Sequence, residues 1–356
     1  MHSQIRCSNW WSKALFLRNF EEQFYIPKPP RKSDRLFLQF LERMLFSDKY
    51  KDLKIEKPIF IVGLPRSGTT LLYNLFCAHP QAAYITTSIN SFIEAPRAIE
   101  WLRKRFHLNI KGERFLADSI DVDFGSPSEP IMYWGKWFKR AVDDLHWKKQ
   151  SLNDFSSQEI ESIYDDIKKI ISCFPGQQQR FVLKYPLMQT ELPLVHALFP
   201  DAKFIHIVRD GRMVANSMVK LYNISNDQIK KIKHPLIDHI LPYPRVEKLG
   251  EYLKSWGPTS LETTSRVWRD SLIEVEEASR HIPIFTLRYE DLLLSPETEL
   301  REVFEFAHLP WPSNEARSFF EVYDSIGKIR HTNNYSGYEL VENRVGPWLK
   351  KLNYIS

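Results

Sequence analysis

Residues Gly63–Thr70 combine small side chains with a single cation, a pattern typical of an anion-binding loop. They follow the apolar run Ile59–Val62, which predicts a buried strand, and they precede apolar residues at helical spacing. A loop that opens a helix presents backbone N–H groups and the positive end of the helix dipole to its ligand. The pattern therefore predicts a strand, a tight loop and a helix that bind an anion, most often a phosphate.

This loop nearly matches the nucleoside-triphosphate pattern G-x-x-x-x-G-K-[ST], with Gly63, Gly68 and Thr70 in register. Position 69 is threonine where that pattern has lysine, and the loop's cation is Arg66 instead. We therefore expect an anion other than ATP. A P-loop small-molecule kinase that depends on ATP and Mg²⁺ is the alternative enzyme class.

A second candidate pair, Arg209 and Ser217, follows the apolar run Phe204–Val208. Arg209 comes directly after this predicted strand, and Ser217 lies about two turns into the next helix. Ligands of parallel sheets bind at the carboxyl ends of the strands, where an arginine and a serine can reach one phosphate. The alternative is an arginine–aspartate pair that caps the helix.

These segments resemble the sulfotransferases that use 3′-phosphoadenosine 5′-phosphosulfate (PAPS), and most of all tyrosylprotein sulfotransferases and their bacterial relatives. Pro65–Thr70 reads P-R-S-G-T-T, and Val208–Arg212 reads V-R-D-G-R. In that family the loop holds the 5′-phosphosulfate, and an arginine and a serine at this spacing hold the 3′-phosphate. The resemblance implies that the following residues bind PAPS: Arg66, Ser67, Gly68, Thr69, Thr70, Arg209 and Ser217.

The same resemblance implies a fold and a reaction. The fold is a P-loop-containing α/β fold of the sulfotransferase type. The reaction transfers a sulfuryl group from PAPS to an acceptor hydroxyl and releases adenosine 3′,5′-bisphosphate. Arg66 and Lys184 are then catalytic candidates, because the family places a lysine in an L-K-x-P segment, here Leu183–Pro186, beside the transferring group.

The general base remains open. Where cytosolic sulfotransferases carry a catalytic histidine, this chain has Pro186, and where tyrosylprotein-type enzymes carry a glutamate it has Thr86–Ser88. Glu129, in a loop before the aromatic-rich residues 132–147 that could wall an acceptor pocket, is preferred over Glu94. Because both family bases are missing, a protein that binds PAPS without turnover is a third hypothesis.

Two further segments carry weaker matches. The segment R-Y-E-D-L at residues 288–292 implies that Tyr289 approaches the adenine of PAPS. Residues 343–351 resemble a loop that closes over the 3′-phosphate, with Arg344 and Lys350 as candidate clamps. No metal is expected, because arginine and lysine supply the positive charge.

The elements that must position these residues alternate between strands and helices. Strands are predicted at Ile59–Val62, Arg180–Lys184, Lys203–Val208 and Ile282–Tyr289, with helical stretches between them. This alternation predicts an α/β fold with a central, mostly parallel sheet flanked by helices. Residues 1–57 are predicted as a helical N-terminal extension whose two helices are separated by a break at Ile26–Pro30. Residues 58–356 are predicted as the sulfotransferase domain, with acceptor-site insertions near 84–178 and 223–256. The second insertion is predicted as loops and a short helix.

Composition places further bounds on the partners. The net charge is +5, and residues 1–57 alone hold 12 Lys and Arg against 7 Asp and Glu. That excess indicates a solvated basic face or attraction to an anionic membrane or cofactor, and no nucleic-acid partner is expected. Residues 8–24 either pack on the domain or lie at a membrane surface. The aromatic content favours an apolar alcohol, lipid or phenol as acceptor.

Cysteine usage and hydropathy predict the compartment. Three widely spaced cysteines form no metal or redox pattern, which favours reduced thiols. No apolar run approaches the ~20 residues that a membrane span requires. We therefore expect a cytoplasmic protein, with peripheral contact to a membrane as the alternative. The sequence does not indicate an oligomeric state.

Overall fold

The computed structural model describes residues 6–16, 30–114, 120–140, 148–176, 179–232, 239–328 and 335–356. Within them the strands are β1 (Arg6–Cys7), β2 (Ile59–Val62), β3 (Ala82–Tyr84), β4 (Ile110–Glu113), β5 (Asp121–Asp123), β6 (Arg180–Lys184), β7 (Lys203–Val208) and β8 (Ile284–Arg288).

Five of these strands form a parallel sheet in the order β3-β6-β2-β7-β8. At its centre Phe60 pairs with Leu183 of β6 and with Phe204 of β7. All four residues of β2 are buried, as expected for a strand that helices cover on both faces. The predicted α/β fold with a central parallel sheet is confirmed, and β3 is an additional strand that the sequence did not indicate.

The helices of the described residues are α1 (Trp10–Phe16), α2 (Lys32–Leu45), α3 (Thr69–Cys77), α4 (Thr87–Ser91), α5 (Pro96–Arg105), α6 (Ile131–Phe138), α7 (Ser157–Ile171), α8 (Leu192–Leu198), α9 (Gly211–Ile232), α10 (Leu249–Trp256), α11 (Leu261–Ser279), α12 (Tyr289–Leu294), α13 (Pro296–Phe306), α14 (Arg317–Tyr323) and α15 (Tyr338–Lys351). Short 3₁₀ turns occur at Asp48–Asp52, Leu152–Asp154 and Pro186–Thr190.

Successive side chains of a strand pack in different hydrophobic clusters, because they alternate between the two faces of the sheet. Phe60 packs in a cluster with residues of α6, α7 and α8. Its neighbour Ile61 packs in a second cluster with residues of α3, α13 and α14. A third cluster joins α9, α10, α11 and α15 behind the end of β7. The strand ends are therefore held by packed helices.

The N-terminal residues pack against the segment 84–178. β1 pairs with β4, and β4 with β5, in an antiparallel sheet that the sequence did not indicate. Leu38 of α2 is buried beside Ile99 of α5. The predicted N-terminal helices are present as α1 and α2, and most of the predicted break between them, at Ile26–Pro30, lies outside the described residues.

Two predictions of irregular structure are wrong. The helix after β7 continues to Ile232, into a region predicted as loops and a short helix. Residues 343–351 belong to helix α15 and are not a loop, because Val341, Val345 and Leu349 recur every four residues and are all buried. None of the described helices combines the length and the apolar character that crossing a membrane requires.

Candidate active site

The predicted site residues lie at the carboxyl edge of the parallel sheet. Lys184 ends β6, the loop Gly63–Thr70 follows β2, Arg209 follows β7 and Tyr289 follows β8. These four strands are neighbours in the sheet. Ligands of open α/β sheets bind in the crevice at this edge. The topology therefore gathers motifs that are far apart in the sequence.

The loop after β2 leads into a helix that has no side-chain cap within the described residues. Gly63 and Gly68 both have positive φ, and a Cβ atom at Gly63 would lie 2.6 Å from the carbonyl oxygen of Ile207. Arg66 also adopts a positive φ, of 73°. Gly68 is the N-cap of α3, and no side chain of the described residues caps this helix. Its first backbone N–H groups are therefore suited to an anionic ligand.

Arg66 and Ser217 contact each other directly. Arg66 Nε donates a hydrogen bond of 3.0 Å to Ser217 Oγ, and Ser217 is buried on α9. Arg209 Nη1 donates to the carbonyl oxygen of Arg66 at 3.2 Å. The two arginines and the serine thus form one connected group. Two arginines in one hydrogen-bonded group favour a strongly anionic ligand.

Tyr289 contacts both the loop and Arg209. The Arg209 guanidinium lies over the Tyr289 ring, 4.7 Å from its centroid. A side chain at Gly68 would collide with the same ring, so the tyrosine packs directly on the turn that opens α3. This arrangement places a flat aromatic surface beside the phosphate-binding candidates.

The remaining loop residues differ in exposure. Ser67 and Thr69 are buried, whereas Thr70 is partly exposed. Ser67 Oγ has no hydrogen-bond partner among the described residues. No group of His, Cys, Asp and Glu side chains suited to a metal ion occurs in the described parts of the chain.

Trp268, on α11, positions Arg209, a role that sequence reasoning did not find. Its indole N–H donates to the Arg209 carbonyl oxygen at 3.2 Å. The indole also packs against Gly211, where a Cβ atom would lie 2.8 Å from the ring. The sequence feature that indicates this close contact is Gly211, which directly follows Arg209 and Asp210.

Lys184 and Glu129 form an ion pair. The lysine side chain is 7% exposed and the glutamate side chain 35% exposed, so the carboxylate is the part that faces solvent. The structure thus joins the predicted charge-stabilising lysine to the preferred base candidate. The geometry suits a reaction in which a proton and a negative charge move within one small region.

The loop that carries Glu129 is held by its neighbours. The Tyr73 hydroxyl donates to the Ser128 carbonyl oxygen at 3.3 Å, and Asn90 Nδ2 donates to Ser128 Oγ. Burial raises the pKa of Tyr73 well above its usual value, so the hydroxyl stays a donor. Thr86 forms a β-bridge with Pro127. These contacts fix Glu129 beside the strand end.

Glu94, the other base candidate, pairs with Arg35 of α2. A different carboxylate, Glu100, reaches the segment 86–88 and accepts hydrogen bonds from Thr86 and Ser88. Burial alone would raise the pKa of Glu100, yet hydrogen bonds and the charge of Arg103 hold that pKa below its usual value. A buried, ionised and fully bonded carboxylate is suited to holding structure.

The two C-terminal clamp candidates lie on the surface of α15. Arg344 forms two hydrogen bonds of 2.9 Å with Glu262 of α11, and Lys350 is exposed. Neither contacts the loop in the described residues. Their assignment to the 3′-phosphate remains a prediction.

A family model described as "Sulfotransferase family" matches residues 58–313. Omega-hydroxy-beta-dihydromenaquinone-9 sulfotransferase Stf3 of Mycobacterium bovis is 24% identical over 279 residues, which are 74% of this chain and 66% of that protein. Protein-tyrosine sulfotransferase A of Caenorhabditis elegans is 22% identical over 254 residues, 71% of this chain and 50% of that protein. The crystal structure of sulfotransferase STF9 from Mycobacterium avium matches with a TM-score of 0.56 and 14% identity, covering 90% of this chain and 84% of that one.

Because the family model covers most of the chain, the chain belongs to the sulfotransferase family. The predicted family, the PAPS-dependent sulfotransferases, is confirmed, and the likeness to STF9 supports the predicted fold. The chain spans just under two thirds of the length of the mycobacterial relative and half of the nematode one. Family membership decides against the kinase alternative, as does the threonine at position 69.

Proposed function

We propose that this protein transfers a sulfuryl group from PAPS to the hydroxyl group of an acceptor and releases adenosine 3′,5′-bisphosphate. One observation carries the proposal. Four neighbouring strand ends bring together the uncapped loop, the Arg66–Ser217–Arg209 group, the Tyr289 ring and the Lys184–Glu129 pair. The donors suit a nucleotide with an anionic group at each end.

The residues divide into a binding set and a reacting set. The loop N–H groups, Arg66, Thr69 and Thr70 hold the 5′-phosphosulfate, and Arg209 with Ser217 holds the 3′-phosphate. Tyr289 packs against the adenine. Anchoring a ligand at both ends fixes its reacting atom relative to the strand ends, which lowers the barrier through orientation.

PAPS supplies the sulfuryl group and its leaving group. Glu129 takes up the proton of the acceptor hydroxyl as the bond between the acceptor oxygen and sulfur forms. Lys184 stabilises the negative charge that stays on the phosphate oxygen when its bond to sulfur breaks. A positioned base contributes typically ~10²–10⁴ in rate. This pairing of base and cation favours turnover over the hypothesis of a protein that only binds PAPS.

We propose an apolar alcohol or phenol, lipids included, as the acceptor. The aromatic side chains of α6, expected to wall the acceptor pocket, are buried in the core. The exposed apolar residues of this helix are instead Ile131 and Met132, which directly follow Glu129 and Pro130. They offer an apolar approach to the carboxylate. Sugars, which expose several hydroxyls and little apolar surface, fit this approach poorly.

Membrane contact through the N-terminal residues is part of the proposal. Trp10 and Trp11 are exposed and stacked, with ring centroids 3.8 Å apart. Helix α2 exposes five apolar side chains and carries Lys32, Arg35 and Arg43. Its exposed apolar residues are Leu36, Phe37, Phe40, Met44 and Leu45. Apolar and basic side chains on one short segment suit a surface of anionic lipids.

Transfer of labelled sulfate from PAPS to a panel of acceptors tests the proposal. We expect labelled product with a long-chain primary alcohol or an alkylphenol and little with a disaccharide. Presenting the alcohol in anionic vesicles is expected to give faster transfer than presenting it in zwitterionic vesicles. Product with the disaccharide alone would contradict the acceptor class, and equal rates in both vesicles would contradict membrane contact.

A further inference from the structure

Tyr354 connects the two backbone segments that carry Arg209 and Tyr289. Its hydroxyl donates to Glu290 Oε2 at 3.0 Å. The other oxygen of that carboxylate, Oε1, accepts the backbone N–H of Asp210 at 3.1 Å. Glu290 directly follows Tyr289, and Asp210 directly follows Arg209. One tyrosine hydroxyl therefore bonds the carboxylate that ties the two strand ends together.

The backbone of Tyr354 reinforces this connection. Its carbonyl oxygen accepts a hydrogen bond of 3.2 Å from Arg212 Nη2. Arg212 in turn contacts both carboxylate oxygens of Asp210 and pairs with Glu342 of α15. The Arg212 side chain is only 21% exposed and joins α9 to α15.

Tyr354 is itself held in place. The Arg288 guanidinium lies over its ring, 4.6 Å from the centroid, and the ring packs against the cluster of α9, α11 and α15. Burial and the negative charge of Glu290 raise the pKa of Tyr354, so its hydroxyl is a donor throughout the physiological range. A donor bonded to a carboxylate contributes more than a bond between neutral groups.

We propose that Tyr354 is a positioning residue for the nucleotide site, which sets the relative position of Arg209 and Tyr289 through Glu290. This inference rests on the proposed function, because Arg209 and Tyr289 are there assigned to the 3′-phosphate and the adenine. Tyr354 does not contact the Lys184–Glu129 pair. It therefore acts on nucleotide affinity and not on the chemical step.

The substitution Tyr354→Phe tests this, because it removes the hydroxyl and keeps the ring. We expect the Kd for adenosine 3′,5′-bisphosphate to rise about tenfold, while kcat at saturating PAPS stays within about twofold of wild type. Glu290→Gln weakens the same connection. The double variant is therefore expected to lose markedly less affinity for the bisphosphate than the sum of the two single losses in binding free energy, because both substitutions break one network.

The matched control is Tyr164→Phe, on α7. It removes a hydroxyl that donates a hydrogen bond of 2.7 Å to the Leu198 carbonyl oxygen. It is expected to leave the Kd unchanged even if it lowers thermal stability. An unchanged Kd in Tyr354→Phe, or an equal rise in Tyr164→Phe, would overturn the inference. If the wild-type protein does not bind the bisphosphate, that result contradicts the proposed function and, because it rests on that function, this inference as well.

Discussion

At the scale of single residues, the Lys184–Glu129 ion pair joins two candidates for the chemical step. Lys184 is buried at its strand end, while Glu129 keeps about a third of its side chain exposed. An acceptor that approaches from solvent therefore meets the carboxylate before the ammonium group. Glu94, by contrast, bonds to Arg35 on the N-terminal helix α2 and contacts none of the strand-end residues in the described chain.

The substitution Glu129→Gln tests the role of the carboxylate. Glutamine keeps the shape of glutamate but cannot take up the acceptor proton, so we expect kcat to fall ~10²-fold or more. The Kd for adenosine 3′,5′-bisphosphate should change little. Steady-state kinetics and equilibrium binding on the same preparation check both. The matched control, Glu94→Gln, is expected to keep kcat; if the two variants lose the same activity, Glu129 has no special role.

Residue identities at the site were predictable where the chemistry is local. Arg66 and its loop lie within eight residues whose types indicate an anion site, and Arg209 and Ser217 lie within nine residues that suit either an anion site or a capped helix. The pairing of Lys184 with Glu129 was not, because 55 residues separate them. The same holds for Tyr354 and Glu290, which are 64 residues apart. Contacts of that range follow from the fold.

At the scale of elements, β7 carries Arg209 to the sheet edge and buries a histidine on the way. His206 is 2% exposed, and burial lowers its pKa to about 4. In the unfolded chain the same ring titrates near 6.5. Between these values the unfolded state binds a proton that the folded state does not. The free energy of unfolding therefore decreases through this histidine as the pH falls from 6.5 towards 4.

The substitution His206→Leu is expected to remove this part of the acid sensitivity. Between pH 7.5 and pH 5, wild type should lose ~2 kcal/mol of unfolding free energy more than the variant does. Urea unfolding at the two pH values measures the difference. His281→Gln, at an exposed position, is the control and should keep the wild-type dependence. An equal loss in wild type and His206→Leu would show that His206 is not responsible.

Elements were predictable where they are long or strongly patterned. The apolar runs of β2, β6 and β7 indicated buried strands. Strand β3 has three residues and β1 two, too few to show a period. The family resemblance predicts a loop at residues 343–351, where the structure has helix α15. The buried residues Val341, Val345 and Leu349 carry a helical period in the sequence, and that period predicts the helix correctly.

At the scale of the molecule, the N-terminal residues and the segment 84–178 form one packed region. β1 pairs with β4, α2 packs on α5, and Arg35 bonds to Glu94. The sequence predicts an N-terminal extension and an insertion near 84–178, with no indication that the two contact each other. Sequence patterns could not indicate their contact, because pairing between distant short elements leaves no local signature. Ile131 and Met132, where we propose that the acceptor approaches, belong to this region.

The central claim concerns the nucleotide, and calorimetric titration of the purified protein tests it most directly. Adenosine 3′,5′-bisphosphate is titrated into one sample, and ATP with Mg²⁺ into a second. The arrangement of Arg66, Arg209, Ser217 and Tyr289 predicts micromolar binding of the bisphosphate and no measurable binding of ATP. Binding of ATP with Mg²⁺ and not of the bisphosphate would contradict the assignment of this site to PAPS.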